Sequence, residues 1–436
     1  MTGGLPQTAG AQARREAEVE HLLNGFEEEL ADWAEAARAR GPLEKHQSQI
    51  ESAVRIIAGA LEQLRNLPVA ERHRKASELV LDLHHLWDFF RTKLTVRLIP
   101  YYQRFLGVAD ELAWSVYDPV RQAAATVRPA LREPPLTFLS RHPVPFATAR
   151  GSDFEELLTS GRQRTLAGRR ASRYLPFPVI GIPWSASHHL PAMLAVAHEA
   201  GHHIEDDFDL GQPLRTRLRE DAGLAGEREK VWEPWLGEVF ADVCATLACG
   251  EAYVRTLADT LAALPGTGQS AGDYPPPRLR LLVCRAALLT AGTAAPPEVL
   301  EKPEASNPYD EEASAVVNAL IDAGFRELGG ARLTSLIGLR DAAQLTEARL
   351  RLRAGLRTNR NDVPGVLAAA ALAFFDAPDD YDVQAVGTRA QHEVLSLIPE
   401  GPRAASAAEG LLAARDSAAG LDLFNLLDED EDAPTS

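Results

Sequence analysis

Ala197-His198-Glu199-Ala200-Gly201-His202-His203 is the stretch on which the reading of this chain turns. It lies in an apolar, glycine-poor run that reads as helix. Residues i and i+4 of a helix share one face, one turn apart, so His198 and His202 aim their imidazoles at one point. Two converging imidazoles suit a zinc ion. Glu199 stands beside His198, placed to act on a water at the metal without binding the metal itself. The spacing H-E-x-x-H is the working part of a zinc hydrolase. The competing reading is a solvated face with two incidental histidines. Ala200 and Gly201 speak against it, because they are small where a second helix would approach. A glycine inside a helix costs about 1 kcal/mol relative to alanine and needs a packing reason.

A hydrolytic zinc takes three protein ligands and leaves one position open. Glu238-Val239-Phe240-Ala241-Asp242 offers the third ligand, Glu238, from a second helix. Asp242 falls one turn further on the same face. There it can accept the Nδ1–H of a ligand histidine and fix its tautomer. On a solvated face such a pair would mean little. Val239, Phe240 and Val243 surround it, so the segment reads as buried, and buried carboxylates need partners.

His198-Glu199-x-x-His202 followed by Glu238-x-x-x-Asp242 resembles the gluzincin metallopeptidases, at the level of motifs. A metzincin would place Gly at position 205 and His at 208, where this chain has Glu205 and Phe208. The G-x-M-E-N segment of the gluzincin aminopeptidases does not occur, so an endopeptidase is expected. Asp273-Tyr274-Pro275-Pro276-Pro277-Arg278-Leu279-Arg280-Leu281 is similar to the His-Pro-x-x-x-x-Arg element of the prenyl-protein and stress-protease gluzincins of membranes. The resemblance implies that Tyr274 stands where that family has a histidine beside the zinc, and Arg280 where it has an arginine. A phenol is a competent donor to an oxyanion.

Upstream, Pro176-Phe177-Pro178-Val179-Ile180-Gly181-Ile182-Pro183-Trp184 reads as extended and apolar. Its prolines predict an edge strand, to which a peptide could add as a further strand. The zinc helix is expected to start close to Pro191, with His188 and His189 as loop or cap residues.

The remaining sequence frames this unit. At 436 residues the chain calls for two or three domains. Its net charge of −17 disfavours nucleic acid as a partner. No apolar run reaches the length of a membrane span, and the first fifteen residues lack a signal-peptide core. Three cysteines make no disulfide framework, and a cytoplasmic location is expected. Helical periodicity runs through residues 12–40, through Ile50, Val54, Ile57, Leu61 and Leu64, and through Leu79, Leu83, Leu86 and Phe90. His84 and His85 read as core or surface residues. Five prolines in 128–148 mark an irregular connection.

The expected fold is mainly α with a small sheet (α+β). An N-terminal helical domain covers 1–130 and a zincin-like unit 131–300. A C-terminal helical region covers 301–418, and an acidic disordered tail 419–436. The expected activity is metallopeptidase chemistry. One zinc per chain is held by His198, His202 and Glu238, with Asp242 behind the ligands. Glu199 is the general base, and Tyr274 with Arg280 serves the oxyanion. The substrate is a peptide or protein, and the helical flanks or acidic tail are candidate surfaces for a protein partner. The alternative is a helical interaction or regulatory protein that keeps zinc for structure or sensing.

Overall fold

The computed structural model of the chain describes residues 9–128, 133–150, 177–263, 274–293, 309–339, 342–403 and 409–429. In chain order the main elements begin with α1 (Ala9–Arg38), α2 (Gln47–Asn66), α3 (Val69–Thr95) and α4 (Pro100–Ala125). Three strands follow, β1 (Leu136–Ser140), β2 (Phe146–Thr148) and β3 (Val179–Pro183). Then come α5 (Ala195–Asp207), α6 (Leu236–Cys249), α7 (Glu251–Ala263), α8 (Pro277–Thr290), α9 (Val363–Asp376), α10 (Val386–Leu397) and α11 (Glu409–Glu429). Shorter helical turns join them. The expectation of a mainly helical chain with a small sheet holds. No helix among the described residues is long and apolar enough to cross a membrane.

The chain divides into two compact units. One comprises Met1–Ile99, Arg150–Phe177 and Glu400–Ser436. Here α1, α2, α3 and α11 pack together. The crossing of α2 and α11 is close because Gly59 meets Gly420; a Cβ on Gly420 would lie 2.7 Å from the Ile56 carbonyl oxygen. Asp416 of α11 is fully buried and accepts from Ser52 (2.8 Å) and from Arg55 Nε and Nη2 (2.9 and 2.8 Å). The tail expected to be disordered from 419 is therefore helical as far as Glu429. Leu423, Phe424 and Leu427 form an apolar stripe that buries itself, and Asp428 pairs with Lys75 of α3.

The other unit comprises Pro100–Ala149 and Pro178–Pro399. The boundary expected near 130 thus falls before α4. That helix is tied to the sheet and to the metal-motif helix. Asp110 accepts from the Thr137 hydroxyl at 2.6 Å, and the Tyr117 hydroxyl donates to Asp207 of α5 at 2.5 Å. Nor do the described residues of 309–399 stand apart. α9 is apolar nearly all round and packs against α4, α6, α7 and α10, as such a helix must.

Two strands occupy the proline-rich stretch that sequence reads as irregular: β1 lies between Pro135 and Pro143, and β2 follows Pro145. The strand order is β1-β3-β2, with β3 parallel to β1 and antiparallel to β2. β3 is the central strand, and the expected edge position is corrected. Pro178 precedes it and Pro183 ends it, so the backbone N–H groups of Val179–Ile182 remain free for pairing. β2 is an edge. Phe146 lies across Gly181, where a Cβ would stand 2.3 Å from its ring.

α5 is reached through a 3-10 turn, Leu190–Leu194, that carries Pro191. His203 Nε2 lies 3.1 Å from the Val179 carbonyl and ties α5 to β3. On the opposite face α5 presses against α6. A Cβ on Gly201 would stand 2.8 Å from the Ala241 Cα and 3.2 Å from the Cys244 Cβ. The small residue does admit a second helix, and that contact aligns the metal motif with its partner segment. Gly201→Ala is expected to lower stability by about 1–3 kcal/mol in denaturant titration, because overpacking against backbone outweighs the gain in helix propensity. Wild-type stability in that variant would show that the crossing tolerates a wider spacing.

Candidate metal centre

α5 and α6 bring three ligand side chains together. His198, His202 and Glu238 place one donor atom each within 4.8 Å of one another. The two Nε2 atoms are 3.2 Å apart. Glu238 Oε2 lies 3.4 Å from His198 Nε2, and its Oε1 lies 3.4 Å from His202 Nε2. Zinc bonds of about 2.0–2.1 Å in a tetrahedron put the donors about 3.3 Å apart. The nitrogen–nitrogen distance and the two nitrogen–oxygen distances are of that order, each nitrogen approached by a different oxygen of Glu238, and the group could hold a metal ion.

Hydrogen bonding points the same way. His198 Nδ1 faces Asp242 Oδ1 at 3.0 Å. As a neutral ring donating there, His198 turns the lone pair of Nε2 towards His202 and Glu238. Lone pairs and a carboxylate that converge on one point call for a cation. Burial works against the charged imidazolium, yet hydrogen bonds to Asp242 and Glu238 outweigh it and hold His198 up to about 10. Burial likewise opposes ionisation of Glu238, but its contacts with His198 and His202 keep it well below the usual carboxylate range.

The second layer is built on Asp242, which is wholly buried. Burial raises its pKa, but Arg280 overrides this and holds it down to about 2. Arg280 Nε donates to Asp242 Oδ2 at 2.7 Å and Nη2 to Oδ1 at 2.8 Å. Arg280 also lies 3.2 Å from Glu238 Oε2. Arg280, expected to serve an oxyanion, is engaged here with the Glu238 carboxylate and with Asp242 behind it. Three carboxylates, Glu199, Glu238 and Asp242, face this one guanidinium.

Glu199 is 7% exposed, and burial raises it above the usual carboxylate range. Tyr274 lies three residues before α8 and is 56% exposed. The phenol inside the cluster is that of Tyr253, on α7. Its hydroxyl donates to Asp242 Oδ1 at 2.6 Å and lies 3.2 Å from His198 Nδ1. Sequence spacing gives no sign of it. Gly250, at φ 61°, turns the chain between α6 and α7, and only that turn brings Tyr253 back over Asp242. His188 and His189 sit in the turns before α5, as expected. His84 stacks on Phe26 with ring centroids 3.8 Å apart. Cys244, Cys249 and Cys284 are all buried free thiols.

Protein purified without chelators is expected to carry close to one zinc per chain by elemental analysis, and His202→Ala to lose most of it. In chelator competition Asp242→Ala is expected to weaken zinc by roughly 10–100-fold, as the loss of a ligand's hydrogen-bond partner does. Glu238→Ala is expected to do worse. The reverse ranking would exchange their roles.

Comparison with known protein families, with curated proteins and with solved structures found no match, so the geometry of the centre carries the functional argument.

Proposed function

We propose that this chain is a zinc-dependent metallopeptidase of the gluzincin type that cleaves within peptide chains. One observation carries the reading. Glu199 is a buried acid next to His198, on the same helix as both histidines, beside a group of three candidate ligands, and not four, among the described residues. A purely structural zinc site usually has four protein ligands and needs no such acid.

His198, His202 and Glu238 would hold the ion, and zinc there would supply Lewis-acid polarisation of a carbonyl and activation of water near neutral pH. The other steps belong to the chain. Glu199 accepts the proton of the attacking water and passes it to the leaving amine. Burial suits it to this exchange by raising its proton affinity. Asp242 and Arg280 keep the ligand residues aligned. Tyr274, exposed ahead of α8, donates to the developing oxyanion in this reading. The outer edge of β2 has no strand partner among the described residues, and an extended peptide would add there. A cytoplasmic setting and a peptide or protein substrate complete the proposal.

Glu199→Gln is expected to keep its zinc and lose at least about a hundredfold in rate, since general-base help contributes about 10²–10⁴. Proteome-wide profiling of new N-termini in cells expressing wild type or Glu199→Gln supplies the substrate for that assay. Identical profiles would sink the peptidase reading. Tyr274→Phe is expected to lower kcat by about 10–1000-fold with zinc content unchanged. Wild-type turnover would reduce the Pro-rich segment to a structural turn.

A further inference from the structure

We infer that Tyr253 is a positioning residue of the metal centre: its hydroxyl, held between Asp242 and His198, fixes the orientation in which the His198 imidazole presents Nε2 to the ion. The inference rests on the metal centre and not on the peptidase reading.

The hydroxyl has one proton and gives it to Asp242 Oδ1, 2.6 Å away. Its oxygen keeps lone pairs, and the nearest N–H is that of His198 Nδ1 at 3.2 Å. The same Nδ1 lies 3.0 Å from Asp242 Oδ1. His198 therefore shares one N–H between two acceptors. A single carboxylate acceptor allows the ring to swing about its Cβ–Cγ bond and still keep one hydrogen bond. Two acceptors on different elements, Asp242 on α6 and Tyr253 on α7, leave one plane that satisfies both. The phenol ring lies nearly parallel to the imidazole, at 16° with centroids 6.3 Å apart.

Asp242 is also immobilised by this arrangement. Its Oδ1 takes Tyr253, Arg280 Nη2 and His198, and its Oδ2 takes Arg280 Nε. Each donor comes from a different helix: α5, α7 or α8. Tyr253 is 2% exposed, and its proton is committed to the carboxylate. It has no proton to offer a substrate, so its effect passes through His198. A buried ring at this site needs no hydroxyl for packing, and a phenylalanine would fill the same volume.

The test uses the full chain and zinc alone, so it needs no peptide substrate. Tyr253→Phe is expected to weaken zinc about tenfold in chelator competition and to speed its dissociation. The cobalt-substituted protein is expected to show a shifted visible spectrum, because the angle of one imidazole ligand has relaxed. In an Asp242→Ala background, adding Tyr253→Phe is expected to change zinc affinity less than twofold, since the two act as one unit. Tyr253→Leu separates packing from hydrogen bonding. If the residue only packs, the leucine variant alone melts early as metal-free protein, while the phenylalanine variant keeps wild-type zinc affinity and an unchanged cobalt spectrum. That result would overturn the inference. So would fully additive losses in the double variant. A metal centre that binds no zinc in the wild type would fail earlier, in the elemental analysis.

Discussion

Everything at the centre depends on how closely α5 can approach α6. At Gly201 the two backbones come nearer than any side chain allows, with Ala241 directly opposite. His198 and His202 flank that glycine on one helix, and Glu238 and Asp242 flank Ala241 on the other. The contact sets the registry of two i, i+4 pairs against each other. A wider spacing would carry the carboxylate away from the imidazoles, and the contacts of 3.2–3.4 Å among the three side chains would be lost. Packing and metal chemistry are here one constraint, because the small residue that permits the crossing lies within the metal motif.

The parts of this arrangement that follow from local periodicity are legible in the sequence. Helical spacing places His198 with His202 and Glu238 with Asp242, and the glycine signals the crossing. The parts that depend on the path of the chain are not. β3 carries prolines, which suggests an edge, yet they stand at its ends where no ladder bond is lost. β1 and β2 are short strands among prolines, and neither has enough alternation to announce itself. α4 reads as the last of an N-terminal run of helices. Its polar residues Asp110 and Tyr117 reveal their allegiance only through partners in β1 and α5. Tyr253 is invisible for the same reason, since a glycine turn decides what it faces.

The last part of the chain shows how far composition misleads. Residues 421–427 fall within the stretch that composition reads as an acidic disordered tail. The structure resolves the pattern as an amphipathic helix whose apolar stripe, Leu423, Phe424 and Leu427, is buried in its own unit. Acids on the outer face of a helix cost little, because water solvates them. A count of charges cannot tell such a face from a disordered segment, whereas the spacing of three apolar residues can.

Electrostatics gives the centre its preference for a cation and also its cost. Burying Glu199, Glu238 and Asp242 together is unfavourable unless charge and hydrogen bonds compensate. Arg280 supplies one positive charge and saturates Asp242, and Tyr253 adds a neutral donor that brings no charge of its own. A second arginine in place of that phenol would neutralise the site further and weaken its pull on a divalent ion. A neutral hydroxyl orders the histidine and leaves the negative charge for the metal to balance. Hydrogen bonds to Asp242 and Glu238 favour the charged imidazolium of His198 against the burial that opposes it. Metal and proton thus compete for Nε2 of the same imidazole, and the groups around it decide the geometry on which the ion must arrive.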